Sequence, residues 1–103
     1  MYKLAFFVPL DHAESVKQAV FAAGAGKIGD YQECCWQTLG TGQFRPTDKA
    51  NPFIGSDGVL EKVEELRVEM VCVDECIRQA VDALKQAHPY EEPAYEVWPL
   101  VDF

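Results

Sequence analysis

Apolar and polar residues alternate along this chain in two distinct periods. Strand-like runs cover residues 2–10, 30–39, 62–73 and 94–101, and the second of them is marked by its tyrosine, cysteine, tryptophan and threonine content. The clearest alternation is in the third run, whose even-numbered residues over 66–72 are all apolar. A period of two is typical of a strand with one buried face, so these runs predict four β-strands.

Two further segments repeat their apolar residues at the spacing of an α-helix. Segments 12–24 and 75–87 each predict one helix. Asp11 and Asp74 stand directly before them and are predicted to cap their first turns. The expected buried stripes are Val16, Ala19, Val20 and Ala23 in the first helix, and Ile77, Ala80, Val81, Leu84 and Ala87 in the second.

The order of these elements predicts an α+β fold in a single domain, residues 1–103. It is the ferredoxin-like βαββαβ sandwich, in which a four-stranded antiparallel sheet carries two helices on one face. The other face has no predicted cover and carries Glu65, Arg67 and Glu69 beside valines. A half-apolar exposed sheet usually marks an interface, so we expect a homo-oligomer that assembles through either the sheet face or the strand edges. Arg67 would be held between the two glutamates at that interface. The alternative is a solvated stripe of charges.

Charge and composition narrow the range of partners. The 103 residues carry a formal net charge of -8, and the pI is about 4.6. This acidity argues against nucleic acid, because phosphate recognition needs a basic surface, and against anionic membranes. No targeting signal or membrane-spanning run is recognisable, so the expected location is the cytoplasm. The four cysteines form no C-x-x-C pair and are expected to be reduced.

The long connection over residues 40–58 is rich in glycine and proline. Connections of this length are usually functional or mobile, and glycines such as Gly40 and Gly42 let a backbone approach a ligand closely. The competing interpretation is a structural loop that packs on a neighbouring subunit through Phe44 and Phe53. The segment lacks the G-x-x-x-x-G-K-[ST] pattern of a phosphate loop.

Segment 88–95 places an imidazole, a phenol and two carboxylates between prolines at the end of the second helix. Proline cannot continue a helix and restricts the residue before it. His88 and Tyr90 are therefore expected on a stiffened corner, and surface corners with clustered polar groups often form binding sites.

Three residues of this corner suggest a metal site. His88, Glu91 and Glu92 offer nitrogen and oxygen donors suited to zinc or copper, and a divalent metal ion is the one cofactor that the sequence suggests. The ligands are few, so a second subunit or Cys35 would have to complete the site. One competing interpretation is a corner histidine that is bonded to the backbone. Another is a corner that shapes the last strand, with its carboxylates bridging to Arg67 at a subunit contact.

Five stretches of the sequence carry a family resemblance. They are GAGKIGDY (24–31), GTGQFRP (40–46), IG (54–55) with LEKVE (60–64), RVE (67–69) and AHPYEEPAY (87–95). In this order they closely resemble the insert domain of YqfO-type proteins of the Nif-three superfamily, over nearly the whole chain. That insert is similar in fold to the signal-transduction protein PII and to CutA, the divalent-cation tolerance protein.

The resemblance implies a PII- and CutA-like oligomer, with a trimer favoured over a dimer. Full-length relatives carry a two-metal centre in lobes that flank the insert; this chain lacks those lobes, and His12 and His88 are too few to rebuild the centre. Hydrolysis is therefore not expected, and no nucleophile motif supports an enzyme. The expected function is a standalone, non-catalytic binding or regulatory module with an unknown ligand. The alternative is a zinc- or copper-binding protein that uses the corner from His88 to Glu92.

Overall fold

Six regular elements follow each other in the computed structural model, which describes residues 1–103. The strands are β1 (Tyr2–Pro9), β2 (Trp36–Phe44), β3 (Glu61–Cys72) and β4 (Tyr95–Pro99), and the helices are α1 (Ala13–Ala22) and α2 (Ile77–Ala87). The strands form one antiparallel sheet in the order β2-β3-β1-β4. This is the ferredoxin-like βαββαβ arrangement, so the predicted fold class is confirmed.

One face of the sheet and the two helices enclose the core. In the central strands Leu4 lies opposite Met70 and Phe6 lies opposite Val68, and all four side chains are buried. The predicted helical stripes meet this layer, with Val16, Val20, Ala80 and Leu84 as their buried members. A fully buried leucine or phenylalanine contributes about 1.5–3 kcal/mol, so this layer supplies most of the driving force for folding.

The opposite face of the sheet, called here the uncovered face, has no second layer of structure. Phe7 on β1 and Arg67 on β3 are direct partners on this face. Trp36 on β2 lies opposite Glu69 and is 60% exposed. Because side chains alternate along a strand, Glu65 shares the face with Arg67 and Glu69, as the sequence predicts.

The second strand does not lie where the sequence placed it. It begins at Trp36 rather than at residue 30, and its register with β3 continues to the pair of Phe44 and Glu61. The residues before Trp36 are irregular, and Glu33 has a positive φ of 56°, which interrupts an extended backbone. The tyrosine and cysteines that favoured a strand before Trp36 were thus outweighed by the pairing available on β3.

Gly40 and Gly42 are consequently strand residues, and their prediction as loop residues is wrong. Neither has a positive φ, and a Cβ atom at Gly40 would meet nothing within 4 Å. A Cβ atom at Gly42 would overlap with Oε1 of Glu65. Gly42 therefore provides the space that this carboxylate occupies.

Both helices begin later than predicted and without the predicted caps. Leu10–His12 form a short 3-10 turn, so α1 starts at Ala13 and no side chain caps it. The first residue of α2 follows Cys76, and Asp74 instead forms an ion pair with the amino terminus of Met1. Neither helix is long and apolar enough to cross a membrane.

The loop between β2 and β3 covers residues 45–60 and is closed at its base. The N–H of Gly58 donates to the carbonyl oxygen of Pro46 at 2.8 Å. Gly55, at a φ of 91°, passes so close to β3 that a Cβ atom there would lie 2.8 Å from Cγ of Glu61. The loop therefore folds back onto the ends of its two strands instead of extending away from them.

Candidate functional site

Two concavities lie where the uncovered face meets the loops. The sheet groove, of about 290 Å³, is lined by Phe7, Thr38, Gly40, Thr41, Gly42, Glu65 and Arg67. The loop pocket, of about 220 Å³, is lined on one side by Phe44, Pro46, Ala50, Pro52, Phe53 and Ile54. Segment 88–94 completes the loop pocket with Tyr90, Glu91 and Glu92.

Most of the residues singled out from the sequence line one of these two concavities. Gly40, Gly42, Glu65 and Arg67 lie in the groove, and Phe44, Tyr90, Glu91 and Glu92 lie in the pocket. Glu69 is the hydrogen-bond partner of Arg67. The ring of His88 packs at a tilt against that of Tyr90, and His88 lines neither concavity.

His88 fastens the corner after α2 to the sheet. The helix ends at Ala87, and His88 takes an extended conformation with only 6% of its surface exposed. Its Nδ1 accepts a hydrogen bond from the N–H of Tyr90 at 3.1 Å, so the ring proton must lie on Nε2. The Nε2–H group of His88 donates to the carbonyl oxygen of Phe7 at 2.7 Å. Both ring nitrogens are therefore engaged with the backbone.

The charge state of His88 follows from this environment. Burial lowers its pKa below the usual range, against the opposing effect of the Phe7 carbonyl, and the nearby His12 lowers it further. The ring is accordingly neutral at physiological pH. A proton on Nδ1 would face the N–H of Tyr90, so the neutral form is also the one that the hydrogen bonds require.

The predicted metal ligands do not come together as a cluster. Both nitrogens of His88 are occupied, and Oε2 of Glu91 accepts a hydrogen bond from the N–H of Asn51 at 2.8 Å. No group of three or more histidine, cysteine, aspartate or glutamate side chains is arranged to hold a metal ion. The geometry does not favour a metal ion at His88, Glu91 and Glu92, and that assignment stays a prediction.

Tyr90 connects the loop pocket to the sheet groove. Its ring lies 5.0 Å from the ring of His88 and 6.0 Å from that of Phe44. Its buried hydroxyl has no well-formed hydrogen bond. Burial raises the pKa of Tyr90 to about 12, with a further contribution from the neighbouring carboxylate of Glu65. The phenol therefore stays protonated, and Glu65, accommodated by Gly42, lies between the two concavities.

Arg67 is held on the uncovered face by one carboxylate and one ring. Its Nε donates to Oε2 of Glu69 at 3.1 Å, and its guanidinium lies 5.4 Å from the centre of the Phe7 ring. Lys3 approaches the other oxygen of Glu69 at 4.0 Å. Glu65 forms no ion pair, so the predicted clamp by two glutamates is half formed within this chain.

Sequence reasoning missed most of the wall of the loop pocket. Pro46, Ala50, Pro52 and Ile54 carry no catalytic or binding motif, and only their position in a long proline-containing loop marks them. A hydrogen bond from the N–H of Asn51 to Glu91 joins the two sides of the pocket across 40 positions of sequence. The available signal was the combination of the long loop and the polar corner.

The fold of this site is that of the PII and CutA class of proteins. The divalent cation tolerance protein CutA from Archaeoglobus fulgidus superposes over 100% of this chain and 87% of its own, with a TM-score of 0.69. Its sequence identity is 17%, so the likeness concerns the fold. A PII-like CutA protein from Nostoc has a TM-score of 0.63.

In sequence this chain is more similar to Nif-three-related proteins than to the CutA proteins. A Bacillus cereus protein related to NIF3 has a TM-score of 0.82 at 42% identity, over 98% of this chain and 26% of its own. Proteins named GTP cyclohydrolase 1 type 2 homolog are 50% identical in Mycobacterium leprae and 46% identical in Halalkalibacterium halodurans, over 96% and 99% of this chain. This chain spans about a quarter of the length of these relatives. No family model matches it. The resemblance inferred from the sequence is confirmed.

Proposed function

We propose that this chain is a non-catalytic binding module that assembles with copies of itself through the uncovered face. The observation that carries the proposal is the sheet with helices on one face only. Trp36 is 60% exposed there, and Val63, Val71 and Trp98 occupy further positions of the same face. Exposed apolar surface bordered by polar groups is typical of protein interfaces.

Three charged residues of the uncovered face are suited to burial because they lie close to each other. Arg67 and Lys3 are both near Glu69, and none of the three side chains is more than a third exposed. Ion pairs of this kind contribute little in water, but they allow Lys3, Arg67 and Glu69 to be covered together, whereas Glu65 would need a partner from a neighbouring copy. The resemblance to PII and CutA favours a trimer, with a dimer as the alternative.

The binding role is supported by the position of the two concavities at the loop end of this face. Two segments, 45–60 and 88–94, meet there, and surface loops held on a rigid sheet are common places for ligand sites. We propose the loop pocket as the ligand site and segment 45–60 as the part of the chain that changes when it is filled.

The absence of a catalytic role is part of the same proposal. No hydrogen bond joins a histidine ring to a hydroxyl or thiol of this chain, because His88 is bonded to the backbone and Nδ1 of His12 has no partner. A general base needs a proton within hydrogen-bond reach. The name of the larger relatives refers to a cyclohydrolase, but this chain matches only a quarter of them, so we do not extend that activity to it.

Self-association is tested by measuring molar mass with light scattering from micromolar to high micromolar concentration, with and without divalent metal. We expect a multiple of the 11.6 kDa subunit. Trp36→Glu should weaken assembly at least about tenfold, because it buries an unpaired carboxylate in the interface. Leu39→Glu is the matched control, since Leu39 is 59% exposed on the same strand but shares its side of the sheet with the helices.

Two results would contradict the proposal. One is a mass of one subunit at high micromolar concentration, which would leave the uncovered face without a partner copy. The other is an equal loss of assembly in Trp36→Glu and Leu39→Glu, which would place the contact somewhere other than on the uncovered face.

A further inference from the structure

We infer that the loop pocket binds a small organic cation, an amine with a short apolar body. The inference rests on the binding role proposed above and names the class of ligand, and it does not depend on self-association. Three properties of the pocket lead to it: its size, its aromatic and apolar wall, and its two carboxylates.

The size and wall of the pocket suit a compact apolar group. Its volume of about 220 Å³ is below the range of about 300–1,000 Å³ that holds drug-sized ligands. The rings of Phe44 and Tyr90 form one part of the wall at 6.0 Å and an interplanar angle of 56°. Phe53 forms another part, and its ring is held edge-on against the ring of His12 at 5.3 Å. A cation near such ring faces gains about 0.5–2 kcal/mol.

The charge of the pocket is negative and uncompensated. Glu91 uses Oε2 to accept a hydrogen bond from Asn51 and has no cationic partner. Glu92 is exposed and takes part in no ion pair or hydrogen bond of this chain. No lysine or arginine lines the pocket. A positive ligand would therefore meet two carboxylates that have no cationic partner, whereas a phosphate or carboxylate ligand would be repelled by them.

A bare metal ion fits this pocket poorly. Apart from Glu91 and Glu92, its lining consists of three aromatic rings and aliphatic or proline side chains, and no third carboxylate, histidine or thiol is in place. A divalent ion needs several oxygen, nitrogen or sulfur donors in place of its water. An alkylammonium ion uses both parts of the pocket, because its apolar body contacts the rings and its ammonium group faces the carboxylates.

The test is a titration with three probes that share one body and differ in charge. Neopentylammonium is positive, neopentyl alcohol is neutral and pivalate is negative at pH 7. Binding is followed by calorimetry and by the amide shifts of residues 44–54 and 90–92 in NMR spectra. We expect the ammonium probe to bind at least about tenfold more tightly than the alcohol and to weaken with added salt, and we expect pivalate not to bind.

Two variants separate the local carboxylates from the overall acidity of the chain. Glu92→Gln removes one charge from the pocket without removing a hydrogen bond, and we expect it to weaken the ammonium probe about three- to tenfold. Glu75→Gln removes the same charge at the other end of α2, outside the pocket, and should leave binding within about twofold.

The outcomes distinguish this inference from the proposed function. Equal affinity of the alcohol and the ammonium probe, or equal effects of Glu92→Gln and Glu75→Gln, would refute the inference that the pocket selects a cation. Binding of pivalate alone would do the same. The proposal of a binding module would remain. If no probe binds, both the inferred cation and the loop pocket as ligand site are refuted. Self-association is decided separately by the measurement of molar mass.

Discussion

Replacing His88 with alanine should strongly destabilise the fold, because this side chain joins the corner after α2 to β1. The substitution removes the acceptor for the N–H of Tyr90 and the donor to the carbonyl of Phe7, both in a site that is 6% exposed. A buried polar group left without a partner costs about 1–3 kcal/mol, and the missing ring leaves a cavity. Water that enters the opened site recovers part of this free energy, so we expect the free energy of unfolding to fall by about 2–4 kcal/mol in total.

The measurement is urea or thermal unfolding followed by circular dichroism. For a domain of this size a loss of about 2–4 kcal/mol corresponds to a fall in Tm of roughly 10–20 °C. Glu92→Ala is the control on the same corner, since Glu92 is exposed and unpaired, and its effect should stay within about 0.5 kcal/mol. Similar stabilities of the two variants would refute the role assigned to His88.

His88 should also make the stability of the fold depend on pH. Because the pKa of His88 is lowered in the folded state, the unfolded chain binds a proton first as the pH falls below about 6.5. The stability contributed by the neutral ring is therefore fully present above that pH and is progressively lost below it, down to the folded pKa. His88→Gln keeps a donor for Phe7 and cannot titrate, which makes it the appropriate reference.

The comparison of wild type with His88→Gln isolates this effect from the many carboxylates of the chain. The wild type should be the more stable of the two at pH 7.5, and the difference in unfolding free energy should narrow toward pH 5. A difference that widens on acidification would mean that the charged imidazolium is the favoured form, in contradiction to the hydrogen bonds described for His88.

Two pairs of glycine substitutions test the backbone arguments in the same unfolding assay. Gly42→Ala should displace the Glu65 carboxylate and so lower the pKa of Tyr90, which is followed by ultraviolet titration. In Gly40→Ala the new Cβ atom meets open space, so the fold should be unaffected or stabilised by up to about 1 kcal/mol. Gly26→Ala should cost at least about 2 kcal/mol, because its φ of 81° is positive and the new Cβ atom would lie 2.7 Å from an aromatic ring; Gly29→Ala, at a φ of 56° in open space, should cost only about 1 kcal/mol. Equal effects within either pair would show that backbone conformation alone, and not crowding, decides the outcome.

The fold was predictable because its core depends on short-range periodicity. The apolar alternation around Val68 and Met70 sets which face of β3 is buried, and the same pattern puts Glu65 and Arg67 on the other face. The position of β2 was not predictable in this way. Two glycines break its sequence pattern, and only the pairing with β3 makes an extended strand of them.

The residues of the candidate site were predictable, and a backbone-bonded His88 was one of the alternatives, but the sequence could not decide between the possible roles. The prolines marked the corner correctly, yet the partner of His88 on β1 lies 81 positions away, and no local pattern indicates that both ring nitrogens would be used by the backbone. The loop pocket likewise requires segment 45–60 to close on segment 88–94. Contacts of this range follow from tertiary packing, which composition and spacing do not encode.

The hydrogen bond between Gly58 and Pro46 has a consequence for how the molecule can diversify. This hydrogen bond joins the two ends of the loop. Residues can therefore be inserted or exchanged between Pro46 and Gly58 while the strand ends keep their separation. Doubling the length of a flexible loop costs only about 0.6 kcal/mol. The segment can therefore change in length or sequence while the sheet beneath it keeps its geometry.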